Sequence, residues 1–185
     1  MMNDEKLITC KLIEYLENSF QFDFIAREVP FFSMRRRADL VAVDRQASAT
    51  YGFEIKSDRD TLSRLGSQLE DYRLTFNYVY VVTTEKYVEM VKNYGAWFGV
   101  LVVDSKGFIF CLRKARKRGL LHDTNCRPLQ KVGEIEENIN QQYINWLCSR
   151  YEPIYQVFIK ERSSNKTTDD DIKILSLRSD VINLR

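Results

Sequence analysis

The chain has 185 residues and is 44% hydrophobic, enough for one ordinary domain with a buried core, or for one domain and a tail. Eleven Phe, ten Tyr and two Trp exclude a chain disordered by composition, and a net charge of +2 is too mild to mark a nucleic-acid binder by itself. Four dispersed cysteines without a CxxC pair, and one histidine (His122), give a zinc site poor prospects and suit thiols kept reduced in a cytoplasm.

The opening "MMNDEK" leads directly into an amphipathic stretch rather than a basic-then-apolar leader, and no run approaches the roughly 18 apolar residues that span a bilayer. A soluble, cytoplasmic chain without membrane contact is therefore expected. Leu7, Ile8, Leu12, Ile13 and Leu16 recur at helical spacing and predict a helix over 5–19. Pro30 interrupts the next stretch, leaving extended segments over Phe31–Met34 and Ala38–Val43, and "ATYGFEIKS" is a third. From Asp60 the period changes: Leu62, Leu65, Leu69, Tyr72 and Phe76 predict a helix with Asp60 or Thr61 as its N-cap. A strand in "YVYVVTT", a short helix ended by Gly95, and a strand in "FGVLVVDSKG" with a turn at Ser105–Gly107 follow. This alternation predicts an α/β fold, a partly parallel sheet covered by helices.

The last third differs. "FIFCLRKARKRGLL" ends in a basic run, and Ile135, Ile139, Tyr143, Ile144 and Leu147 place a helix over 133–151. Residues 162–171 have linker composition, and the final "IKILSLRSDVINLR" reads as a docked strand or helix, or as a mobile tail. The division expected is a core over 1–131, a helical extension packed on it over 132–161, and a linker and tail over 162–185. No internal repeat is visible.

"YGFEIKSDRD", residues 51–60, carries the chemistry. Residues two apart in a strand face the same side, so Phe53 and Ile55 turn to the core and Glu54 and Lys56 project together. An ion pair on an exposed sheet face is the ordinary account of such a pair. Asp39 changes the weighing. It lies between apolar residues on the preceding segment, and a hairpin through residues 45–50 would set it on the strand beside Glu54. Two carboxylates so placed repel unless a cation lies between them. Oxygen-only ligands favour Mg²⁺ or Mn²⁺. A lysine beside them can hold a water or stabilise charge on a phosphate.

Asp39 followed by "EIK" resembles the PD-(D/E)XK nuclease superfamily, in particular small bacterial and phage members that read "RADL…EIKSDxDTLxRLxxQ…Y". Here those residues are Arg37, Ala38, Asp39 and Leu40, then Glu54 to Asp58, Asp60 to Leu62, Arg64, Leu65, Gln68 and Tyr72. The proline of the motif is absent, with Ala38 in its place. The resemblance covers about residues 5–103. It implies a restriction-endonuclease-like core, a central mixed sheet flanked by helices, to which the residues read above add a helical and basic C-terminal extension. It implies a metal-dependent DNA nuclease in which Asp39 and Glu54, assisted by Glu28 and the Ile55 carbonyl, bind Mg²⁺ or Mn²⁺ and Lys56 orients the water. Gln68 and Tyr72, four apart on one helix face, resemble the QxxxY element of RecB-like nucleases. A surface amide beside a core tyrosine is their ordinary account. Glu14 is a second candidate for the upstream glutamate. Asp58 and Asp60 read as structural, and His122 as incidental.

Arg35, Arg36 and Arg37 precede Asp39, and Arg113, Lys114, Arg116, Lys117 and Arg118 fall within six residues. Charge runs are usually solvated faces, but beside a phosphodiesterase they gain weight as phosphate contacts. The alternative function is a non-catalytic DNA-binding or protein-interaction module on the same fold, a phage or mobile-element accessory factor with a host protein as partner. Composition leaves the oligomeric state open, a homodimer included.

Overall fold

The structure, a computed structural model, describes residues 4–31, 35–118, 139–162 and 164–176. Asp4 caps helix α1 (Glu5–Ser19) by accepting from the Lys6 amide, and Ile8, Leu12, Ile13 and Leu16 form its buried face. Six strands follow: β1 (Phe24–Phe31), β2 (Arg36–Asp44), β3 (Ala49–Lys56), β4 (Tyr78–Thr84), β5 (Gly99–Val103) and β6 (Ile109–Arg113). They form one sheet in the order β1-β2-β3-β4-β5-β6. The pairs β1–β2, β2–β3 and β5–β6 are antiparallel, and β3–β4 and β4–β5 are parallel. Helix α2 (Leu65–Thr75) links β3 to β4, and a 3₁₀ turn with α3 (Val88–Lys92) links β4 to β5. Helices α4 (Ile139–Glu161) and α5 (Asp169–Ile174) complete an open, mixed α/β sheet flanked by helices.

Strand alternation divides the core in two. Val41, Val43, Val79, Val81, Val100 and Val102 pack with Leu65, Leu69 and Tyr72 of α2 and with Tyr143, Leu147 and Ile154 of α4. Leu40, Ala42, Phe53, Ile55, Val82 and Leu101 pack with α1, and with Phe158, Ile172 and Leu175. Each such side chain contributes roughly 1.5–3 kcal/mol on burial. Helix α4 joins both cores and packs chiefly on β1.

Four expectations need correction. Pro30 lies inside β1 rather than ending it, because β1 is an edge strand and a missing N–H there breaks no central ladder. Helix α2 starts at Leu65, after Arg64 and without a side-chain cap, so neither Asp60 nor Thr61 is its N-cap. The reason is local: the Asp60 carboxylate is taken by the Ser57 amide (2.8 Å) and hydroxyl (2.6 Å). Residues 162–171 are not simply a linker. Thr168 and Asp171 form a capping box, three aspartates occupy the first turn of α5, and Ile172 is buried. Helix α4 also runs on through Pro153 to Glu161, anchored by Ile154 and Phe158. His122, Cys126, Ile135 and residues 177–185 lie outside the described residues.

Candidate active site

The β2–β3 hairpin is paired from Asp44↔Ala49 to Leu40↔Phe53, and the ladder stops there. On the other side, β1 and β2 pair at Arg27↔Leu40 and Val29↔Ala38 but skip the position between. That position holds Glu28 and Asp39, and Glu28 takes a left-handed backbone (φ 53°), which costs a non-glycine residue free energy. Both ladders are thus loosened around Asp39, and side chains replace them. Asp39 Oδ2 accepts from the Ile55 amide at 2.7 Å. The Tyr72 hydroxyl accepts from the Asp39 amide (3.2 Å) and donates to the Phe53 carbonyl (3.3 Å).

Glu54 and Lys56 share the face of β3 that meets α2, as strand parity requires. Lys56 Nζ donates to Glu54 Oε1 at 2.6 Å and to Gln68 Oε1 at 3.1 Å, and Gln68 Nε2 donates to Glu54 Oε1 at 2.5 Å. The three groups close a triangle. Glu54 is 1% exposed and Lys56 8%. Glu54 Oε2 is buried and has no hydrogen-bond partner among the described residues. Asp39 keeps some exposed surface, but the atoms crowded around it desolvate the carboxyl, and this with the nearby Glu54 charge pushes its pKa well above the usual carboxylate value. Burial, then Glu54, likewise raises Tyr72. Asp39, Glu54, Lys56, Gln68 and Tyr72 are therefore brought together.

Glu28 is not drawn into this cluster. Its carboxylate lies 3.5 Å from Arg27 and 3.9 Å from Arg37. Glu14 is elsewhere, bound to Lys11 Nζ and to the Thr167 amide. The first-helix glutamate that does approach is Glu5. It is open to solvent on its outer side, yet packing beneath it raises its carboxyl, with Asp60 adding and Arg27 and Lys56 opposing. The sequence offered no separate signal for Glu5, since an acidic residue in a first turn is ordinary helix-dipole chemistry. Asp58 and Asp60 are structural: Asp58 binds the Thr84 hydroxyl, and the Asp60 carboxylate closes the Ser57 turn.

Among the described residues, no three or more His, Cys, Asp or Glu gather as a metal cage. Asp39 and Glu54 supply a two-carboxylate oxygen set, with one buried oxygen lacking a partner. That set fits Mg²⁺ or Mn²⁺, which keep several waters and share coordination with substrate phosphate. Cys10, Cys111 and Cys148 are free thiols.

The basic residues fall into two places. Arg35 and Arg37 are exposed near the site, while Arg36 is bound to Asp71 at 2.6 Å. Residues 113–118 form a strap across the other end of the sheet. Arg113 donates to the Phe98 and Gly95 carbonyls, the Arg116 amide to Trp97, the Arg118 amide to Asn77, and Lys117 Nζ to Ala47. Asn77 also binds Thr50, six residues from Lys56 along β3, or about 20 Å. Arg113 is thus a structural anchor, and the run lies far from the carboxylates. Among the described residues, no helix is long and apolar enough to cross a membrane.

The family model for bacteriophage P4 protein cII matches residues 1–132. Protein cII of Enterobacteria phage P4 is 27% identical over 168 residues, covering 88% of this chain and 62% of the relative's own length. A solved protein of unknown function from Silicibacter pomeroyi is 14% identical with a TM-score of 0.48, covering 60% of this chain and 71% of its own.

Proposed function

The chain belongs to the bacteriophage P4 protein cII family, and from that premise we propose that it is a phage accessory protein with a metal-dependent DNA nuclease site of the PD-(D/E)XK type. The observation that carries the nuclease reading is the convergence of Asp39, Glu54, Lys56 and Gln68, with Glu54 Oε2 buried and without a hydrogen-bond partner among the described residues. An apolar or fully paired surface would need no such set.

Asp39 and Glu54 would hold Mg²⁺ or Mn²⁺, with the Ile55 carbonyl a further donor and Glu5 within the same field. The bound ion supplies Lewis-acid charge at the scissile phosphate. The chain does the rest. The Asp39–Ile55 and Tyr72–Phe53 bonds fix the two strands, so that the carboxylates are held before substrate arrives. Gln68 orients Glu54 through Oε1 and leaves Oε2 for a cation. Lys56 is a preorganised positive charge that can turn from Glu54 to a water or a phosphate oxygen.

A second reading is a non-catalytic module that binds DNA or a host protein. Family membership supports a phage accessory factor more directly than it supports cleavage. The closed Glu54–Lys56–Gln68 triangle also suits a structural ion pair. Titrating Mg²⁺ and Mn²⁺ against supercoiled, linear and single-stranded DNA separates the two. Cleavage that Lys56→Ala lowers by roughly 10²–10³, with affinity kept, is the expected result. Tight binding by a parent that cuts no DNA would leave the module reading standing.

A further inference from the structure

The outer edge of the sheet carries features that the carboxylate site does not use. Among the described residues, strand β6 is the last of the sheet and pairs only with β5. Exposed edge strands are ordinarily blunted by charge, proline or a covering element. Here Phe108 is 68% exposed, Phe110 45% and Leu112 41%. The register runs Lys56↔Thr83, Thr83↔Val102 and Val102↔Phe110. Phe110 therefore stands in the row of Lys56, three strand spacings or roughly 14 Å away.

After Arg113 the chain passes beneath the starts of β5 and β4, held by the Arg116 and Arg118 amides. Lys114, Arg116 and Lys117 are exposed. None of these three forms a salt bridge among the described residues, whereas Arg36, Arg45, Lys92 and Arg162 each do. The strap is thus fixed by its backbone amides together with the Arg113 side chain and the Lys117–Ala47 contact, and among the described residues its exposed charges form no ion pair.

We propose that the β6 edge and the 114–118 strap form a track for a single strand of nucleic acid leading away from the Glu54–Lys56 pocket. Bases stack on Phe108 and Phe110, and phosphates meet Lys114, Arg116 and Lys117. Exposed aromatic rings beside unpaired cations are the chemistry that unstacked bases and a phosphate backbone require. A duplex keeps its base faces stacked and would engage the cations alone. The path from Lys56 to Phe110 and on to Lys117 spans roughly 14 Å plus at most about 25 Å of chain, beyond the reach of a tetranucleotide and within that of a decanucleotide. The track rests on the nuclease reading only for its direction towards Lys56.

The test is fluorescence anisotropy without divalent metal, using labelled dT4, dT10 and dT20 and a 20-base-pair duplex. Affinity should rise steeply from dT4 to dT10 and little beyond, and dT20 should bind more tightly than the duplex. The paired variant Phe108→Ala/Phe110→Ala should weaken dT20 at least tenfold and leave the duplex nearly unchanged. Lys114→Glu/Arg116→Glu should weaken both and flatten the salt dependence on dT20 by roughly 0.7 per lost contact. All four positions are exposed, and unchanged melting temperatures confirm that the variants fold. Duplex binding as tight as dT20, or parent-like dT20 binding by the aromatic variant, overturns the track. So does displacement of dT20 by polyglutamate at equal charge, which would assign the face to an acidic protein. Because no metal is present, a site that never cuts DNA leaves the expected binding pattern in place, and the two readings fail separately.

Discussion

Replacing Lys56 by methionine perturbs the site most informatively. The substitution keeps the length of the side chain and removes its charge. Lys56 Nζ lies 2.6 Å from Glu54 Oε1, with the lysine side chain 10% exposed and the glutamate side chain 2%. Solvent cannot take over as partner at that burial, so Glu54 is left as an uncompensated buried charge with only Gln68 to donate to it. Breaking one side of such a pair costs about 3–5 kcal/mol. For a chain of this size each kcal/mol moves the melting temperature by about 2–4 °C, which gives a fall of roughly 6–20 °C. The paired change Glu54→Gln/Lys56→Met should recover most of it, because no charge is then stranded. Divalent metal supplies the second arm. An ion bound at Asp39 and Glu54 replaces the missing positive charge, so Mg²⁺ should raise the melting temperature of Lys56→Met more than that of the parent. At ten times the dissociation constant the stabilisation is about 1.4 kcal/mol. Differential scanning fluorimetry over a Mg²⁺ and Mn²⁺ series reads all three. A Lys56→Met protein within about 1 kcal/mol of the parent would show that the pair is screened, and equal metal responses would show that Glu54 does not accept a cation.

Tyr72→Phe removes one hydroxyl that bridges two strands through bonds of 3.2 and 3.3 Å; such long bonds predict a loss of about 1 kcal/mol by chemical denaturation, and a loss near zero would mean the hairpin end is held by Asp39 alone. Asp39 has a folded-state pKa well above the ordinary carboxylate value, so at this group the folded chain binds more protons than the unfolded one, and its contribution to metal-free stability should fall as pH rises from about 4 towards neutrality. Asp39→Asn should abolish that decline, and an unchanged stability–pH profile in the variant would refute the assignment. Gly99→Ala would drive a Cβ into the Tyr80 ring and set it 2.7 Å from the Ala115 amide nitrogen. Since the second is backbone of the strap, a destabilisation of roughly 1–3 kcal/mol is expected, and a parent-like melting curve would show that the strap is loosely attached.

Much of this protein is written locally. Helix α1 is predicted and found over residues 5–19, because its apolar period and its Asp4 cap lie within one short segment. Glu54 and Lys56 share a face because strand parity has period two, and Gln68 and Tyr72 align because a helix turn has 3.6 residues. The adjacency of Asp39 to Glu54 followed from a hairpin short enough to read directly. Other features depended on partners distant in sequence. Pro30 is tolerated inside β1 only because that strand lies at the sheet edge, and the order of strands is not a local property. Asp60 looks like a helix cap until Ser57 claims it. Glu5 carries no motif, and only the packing of α1 brings its charge into the field of Asp39 and Lys56. The basic run was visible as composition, but its position at the end of the sheet opposite the carboxylates was set by amide bonds to Trp97 and Asn77, residues 19 and 41 positions earlier than Arg116 and Arg118. Periodicity records which way a side chain faces within its own element. Which surfaces meet is decided by the sheet order and by the burial that rewards it.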